Sequence, residues 1–211
     1  MSDDVVEFKF RMRRRNVRIT AGAIALLIVL VAWWVVSGTA SVVTGSTTSA
    51  GAGHGDQCLW GDDHFWAVYA KDEAPVAVQT VRNESRWPVE VISTRPDAYR
   101  FEPSALALDE SIPDPKAGPP PESETSDRVT IPAGREAVMW IINPFRAEGS
   151  TEADPPIGDG ARVGVSDAPL RVRSLGLVHN AVVPFYATLW KSGLPSDSPE
   201  FQARLAELCE T

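Results

Sequence analysis

The sequence is poor in the residues that carry chemistry. Of its 211 residues only two are cysteine, and the histidines are three: His54, His64 and His179. No serine stands in a G-x-S-x-G elbow and no glycine-rich loop leads into a helical pattern, so the common signatures of acyl transfer and of phosphate binding are missing. A Ser/His/Asp set assembled in space would leave no such signature. Positive charge is scarce as well: 20 Lys and Arg stand against 28 Asp and Glu, a net charge of −8. Six of the basic and three of the acidic side chains fall in residues 1–18, which leaves 14 against 25 for the rest. An acidic remainder with singly scattered basic residues is expected to be a poor surface for nucleic acid or for an anionic lipid surface.

Charge is absent altogether from residues 19–36, ITAGAIALLIVLVAWWVV. An apolar helix of this length is about 27 Å long, close to the hydrocarbon thickness of a bilayer. Arg13, Arg14, Arg15 and Arg18 precede it, and the positive-inside rule then puts the N-terminus in the cytoplasm and the C-terminal bulk outside. Trp33 and Trp34 lie near its outer end, where interfacial aromatics hold a helix that stays. A cleaved signal peptide is the competing reading, with Gly38 and Ala40 as small residues before a cut. The apolar run exceeds a signal core, so a retained anchor is expected. The sequence thus divides into a basic cytoplasmic tail (1–18), a transmembrane helix (19–37), a flexible Ser/Thr/Gly spacer (38–56) and an extracytoplasmic domain (57–211). The tail is expected to fix orientation and meet anionic head groups of the lipid bilayer.

Strand signals dominate the domain. HFWAVYA (64–70), VAVQTVR (76–82), PVEVIST (88–94), RVTI (128–131), EAVMWII (136–142), ARVGV (161–165), PLRVRSL (169–175) and NAVVPFYATLW (180–190) are β-rich and bounded by turn formers. Val89 and Val91 share one face and Glu90 takes the other, and Leu170 and Val172 oppose Arg171 and Arg173 in the same way. Residues 136–142 are apolar on both faces, which predicts a central strand. His179-Asn180 reads as a turn. Short strands with frequent Pro and Gly predict a mainly β fold, an antiparallel immunoglobulin-like or fibronectin-like β-sandwich. A short C-terminal helix follows, with Ser198 as cap, Pro199 in its first turn and Phe201, Leu205, Leu208 and Cys209 on one face. Residues 102–127, with six prolines and many acids, and the smaller stretch 147–160 read as exposed insertions.

Cys58 and Cys209 sit near the two ends of the exported part. In an oxidising compartment such a pair predicts one disulfide closing the domain. The densest polar cluster surrounds Cys58: His54, Asp56, Asp62, Asp63 and His64. It can be drawn as a metal site, but its spacing matches no geometric motif. No metal, cofactor or catalytic activity is expected, and the alternative is a surface hydrolase or metal-handling protein using His64, Asp62 and Asp63. Asn83-Glu84-Ser85 fits a glycosylation sequon. Trp60, Trp66, Trp87, Trp140 and Trp190 are assigned to core and edge packing.

VRNESRWPVEVIS, VTIPAGRE and LRVRSLGLVHNAVVPF together resemble the strand and turn pattern of actinobacterial single-pass membrane proteins with an exported immunoglobulin-like β-domain. The resemblance covers about half of the exported part. Ser85-Arg86 stands where that pattern has a glycine after Arg-Asn, and the acidic insertion is outside it. The family is largely without assigned activity, so the resemblance implies fold and location only. The expected function is a membrane-anchored binding or accessory module with another envelope protein as partner.

Overall fold

The structure is a computed structural model; it describes residues 19–35, 40–51, 58–60, 64–106, 111–145 and 162–209. The chain forms two compact units, Met1–Thr39 and Ala40–Thr211. In the first, residues 19–35 form helix α1, exposed around its whole circumference, with Leu26, Leu27, Ile28 and Val29 each more than half accessible. Among the described residues no helix is long and apolar enough to cross a membrane. The described helix stops at residue 35, and Arg13, Arg14, Arg15 and Arg18 lie outside the described residues.

The second unit is a sandwich of two sheets. Its strands are β1 (Val42–Gly51), β2 (Cys58–Trp60), β3 (His64–Tyr69), β4 (Val76–Asn83), β5 (Val89–Ser93), β6 (Tyr99–Ala105), β7 (Arg128–Ile131), β8 (Glu136–Ile142), β9 (Arg162–Ser174) and β10 (Leu177–Ser192), followed by helix α2 (Pro199–Cys209). One sheet has the order β1-β4-β8-β6 and the other β2-β3-β10-β9-β5-β7. The predicted alternation holds: Val89, Val91, Leu170 and Val172 face the shared core with Phe101, Ile131, Met139 and Ile141, while Arg171 and Arg173 are exposed. The strand that is apolar on both faces, β8, is central as expected, between β4 and β6.

Three differences from the sequence reading follow from local chemistry. The sandwich is not wholly antiparallel, because β3 pairs parallel to β10, Phe65 opposite Ala187. A long stretch of chain separates these strands, and a distant connection permits the parallel direction. The two strands expected at 161–165 and 169–175 are one continuous β9, and the turn into β10 is Leu175-Gly176, not His179-Asn180. Both turn residues have positive φ, 49° and 88°, the backbone that matches strand twist in a two-residue hairpin. Finally, most of the expected spacer 38–56 belongs to the sandwich as β1, paired with β4 from Val42–Asn83 to Gly51–Val76.

Strand β1 was masked by its small residues, which are what its position requires. A Cβ on Gly45 would lie 2.7 Å from Thr80 Cβ and 2.8 Å from Glu136 Oε2, so only glycine lets the backbone approach. There the ladder shifts register between Thr44 and Thr48. Glu136 accepts from the Ser46 N–H with both oxygens at 3.1 Å and from the Ser46 hydroxyl at 2.9 Å. Burial opposes ionisation of Glu136, but the Ser46 N–H, the Thr80 and Ser46 hydroxyls and Arg82 together hold its carboxyl below the usual range.

The outer faces are covered unequally. On the first sheet Val78, Val138 and Trp140 point away from the shared core yet are buried, packed against Leu106 and Ile112. Both lie in the 102–127 segment, whose described residues are otherwise exposed or half-exposed save Pro115, so these two side chains make it a strap on the sheet. On the second sheet, Phe201 and Leu205 of α2 pack with Val68 and Ala70, and the Ser198 hydroxyl caps the helix by accepting from Phe201 N–H at 3.0 Å. Along the first part of β10, Val178, Val182 and Tyr186 are exposed among the described residues.

Candidate interaction surface

Of the residues singled out for metal or hydrolytic chemistry, only His64 lies among the described residues. His54, Asp56, Asp62 and Asp63 lie outside the described residues, and His64 is placed only as the first residue of β3. Among the described residues no group of three or more His, Cys, Asp and Glu could hold a metal ion. His179 is used by the fold: its Nε2 lies 3.0 Å from the Ala40 carbonyl. At the opposite end of the sandwich the buried Lys191 donates to the Glu73 carbonyl at 2.6 Å, and Glu73 Oε2 accepts from Ala70 N–H at 2.8 Å. Burial, aided by Glu73, pushes the Tyr69 phenol well up, and its hydroxyl donates to the Val76 carbonyl. These groups fasten the 70–76 turn.

Asn83, the sequon asparagine, is fully buried. Its Nδ2 donates to the Trp87 carbonyl at 2.8 Å and the Ile131 carbonyl at 2.9 Å. Its Oδ1 accepts from the Ser85 N–H at 2.9 Å and the Ser85 hydroxyl at 2.6 Å. Three hydrogens and lone pairs of one amide thus organise the 84–88 loop, which reads as an Asx turn. The spacing that resembles a glycosylation signal is used to build this loop. Gln79, also fully buried, does comparable work between the sheets: its Nε2 donates to the Pro184 carbonyl at 3.1 Å and its Oε1 accepts from Tyr186 N–H at 3.0 Å. This clamps β10 where its register with β9 shifts, between Pro184 and Leu189.

The loop that Asn83 shapes carries Trp87, 46 % exposed. Assigned by sequence to core and edge packing, this tryptophan leaves nearly half of its surface to solvent, whereas Trp140 is buried. Register places its neighbours. Glu90 pairs with Arg173, so continuing the ladder toward residue 87 brings the loop beside the Leu175-Gly176 turn. Val42 pairs with Asn83, and Glu84 N–H donates to the Ser41 carbonyl at 3.1 Å. Gly134 N–H donates to the Asn83 carbonyl at 2.9 Å, which adds the β7–β8 turn. One end of the sandwich therefore gathers Ala40, the 84–88 loop, the 132–135 turn and the 175–176 turn. Trp87, Leu175 and Val178 are exposed there. The sequence signal available for Trp87 was its place between Arg86 and Pro88 in a turn rather than in a strand.

No protein-family model matches the chain, and no curated protein matches it. Among solved structures it is similar to the apo PmoF2 PCuAC domain, at 9% identity over 61% of this chain and 82% of that one, with a TM-score of 0.25. It is also similar to the Salmonella enterica SafA pilin in complex with the SafB chaperone, at 15% identity over 77% of this chain and 64% of that one, with a TM-score of 0.28. Neither likeness bears on ligand or partner at these values.

Proposed function

We propose that this chain is a membrane-anchored, extracytoplasmic binding or accessory module, immunoglobulin-like in its β unit and without catalytic activity of its own. The observation that carries the reading is α1. An apolar helix exposed on every face has no stable place in water and calls for hydrocarbon around it. The four arginines before it orient the chain with its N-terminus in the cytoplasm. The buried amides of Asn83 and Gln79 are taken up by the fold, which supports a scaffold that presents loops and edges to a protein partner in the envelope. The test is direct. The chain should remain with membranes washed at alkaline pH, its β unit should be cut by protease added to intact cells, and crosslinking should capture one recurrent envelope protein. Release by the alkaline wash, or protection from external protease, would sink this reading.

Export also brings the two cysteines into play. Cys58 opens β2 and Cys209 closes α2, and α2 packs against β2, which supports the expected Cys58–Cys209 disulfide. Cys58→Ser and Cys209→Ser should then lower the denaturation midpoint equally, by about 2–5 kcal/mol in stability. The double variant should lose no more than either single one. Additive losses in this cycle would show that the thiols act separately.

A further inference from the structure

Among the described residues, three of the β unit's five exposed large hydrophobics stand at one end of it. Trp87, Leu175, Val178, Val182 and Tyr186 are its exposed large hydrophobics among the described residues; the first three stand at the end that holds Ala40, and Val182 and Tyr186 continue the line along β10. Arg82, Arg86, Arg135 and Arg173 share that end with Glu84, Glu90 and Glu136. Two of these acids are engaged, Glu90 by Arg173 at 2.8 Å and Glu136 by the Ser46 N–H. With Arg173 spent on Glu90, three arginines face two glutamates, so this apolar end carries one net positive charge in a chain whose net charge is −8. Leu175 adds a second, conformational oddity. It holds a left-handed backbone at φ 49°, where Gly or Asn is the low-cost residue and a bulky side chain is strained. The sequence keeps a large apolar side chain there, 43 % exposed. Trp87 is carried by a loop that Asn83 and Ser85 pin with hydrogen bonds, two of them to each other and two to the Trp87 carbonyl.

We infer that this end of the β unit docks on an anionic bilayer surface, with Trp87 and Leu175 entering the interfacial region and the arginines meeting lipid head groups. The inference rests on the membrane-anchor reading, since Ala40 follows the apolar segment by only a few residues in the sequence. Tryptophan is the side chain that favours the interface, and each arginine near an anionic surface adds attraction that salt screens. Docking at this end would set the orientation of the domain and leave the 70–76 end and the strap facing away for a partner.

The test uses the full chain reconstituted in vesicles of phosphatidylcholine, alone or mixed with phosphatidylglycerol, with lipid brominated near the head group as quencher. The difference between wild type and Trp87→Phe isolates the emission of residue 87. Most of that emission should be lost in brominated anionic vesicles, and should return with added salt or with Leu175→Asn. That variant relieves the turn, so its denaturation midpoint should hold or rise while docking falls, which separates docking from folding. If Trp33 and Trp34 are quenched but residue 87 is not, the anchor stands and the docking inference is overturned. Equal quenching in phosphatidylcholine alone would overturn the anionic surface. Failure of the chain to float with vesicles at all would remove the anchor reading and this inference together.

Discussion

Replacing Asn83 with alanine is expected to cost about 3 kcal/mol, read as a lower urea midpoint with an unchanged slope. The side chain is fully buried and makes four hydrogen bonds to three residues. Alanine leaves the Ile131 carbonyl short of its 2.9 Å donor inside the protein, and frees the Ser85 N–H. An unsatisfied buried group costs about 1–3 kcal/mol, and this network holds more than one. The Trp87 carbonyl keeps the Ser85 hydroxyl at 2.7 Å, which bounds the loss. Asn83→Asp is the sharper variant, because it offers acceptors to the Trp87 and Ile131 carbonyls. It should be worse than alanine at neutral pH. Facing carbonyls raises the folded carboxyl's affinity for a proton, so the loss should shrink as pH falls and the protonated acid regains one donor. An Asn83→Ala protein as stable as wild type would show that the loop does not need its amide. Because the same amide fixes the loop that displays Trp87, the variant should also blunt docking.

Much of the fold was legible because alternation is a strong signal where one face is buried and the other is wet. β5, β7 and the Leu170–Arg173 part of β9 show it, and the structure returns them within a residue or two. The Ser198–Pro199 start of α2 was legible for the same kind of reason, a cap whose chemistry is local. What was illegible depended on distant partners. After Val42 and Val43, β1 is built from Gly, Ser, Thr and Ala, a composition that reads as linker; it is a strand because Thr80 and Glu136 receive it. β6 carries Pro103 and Ser104 and was absorbed into an acidic stretch. The candidate surface was hidden for the opposite reason. A tryptophan and a leucine are core residues by default, and only the fold shows that Trp87 and Leu175 are exposed at the same end of the sandwich.

The strap gives the second large expectation. Deleting residues 104–126 should not yield a trimmed, native domain but one destabilised by about 5 kcal/mol, with loosened packing. The segment is fastened at both ends. Trp140 Nε1 donates to Glu102 at 3.3 Å, Leu106 N–H donates to the Glu136 carbonyl at 2.8 Å, and Phe101 and Ser126 exchange two 2.8 Å backbone bonds. Between them Leu106 and Ile112 cover Val78, Val138 and Trp140, each at most 2 % exposed. Uncovering three large side chains forfeits about 1.5–3 kcal/mol for each fully re-exposed one. Even a partial loss is a large share of the roughly 5–15 kcal/mol that a domain commands. Ile112→Asp isolates the effect without shortening the chain and should cost about 2 kcal/mol. Near-ultraviolet circular dichroism, dominated by buried tryptophan, should fall in the deletion while far-ultraviolet strand signal persists, and a dye that binds exposed apolar surface should bind. A deletion variant with native near-ultraviolet spectrum and unchanged midpoint would make the segment a passive insertion. The same reasoning bears on partner mapping: loss of a captured protein on deleting 104–126 would follow from a damaged sheet as readily as from a lost contact. Substitutions at exposed strap positions such as Lys116 and Glu122 are therefore the variants that report binding there.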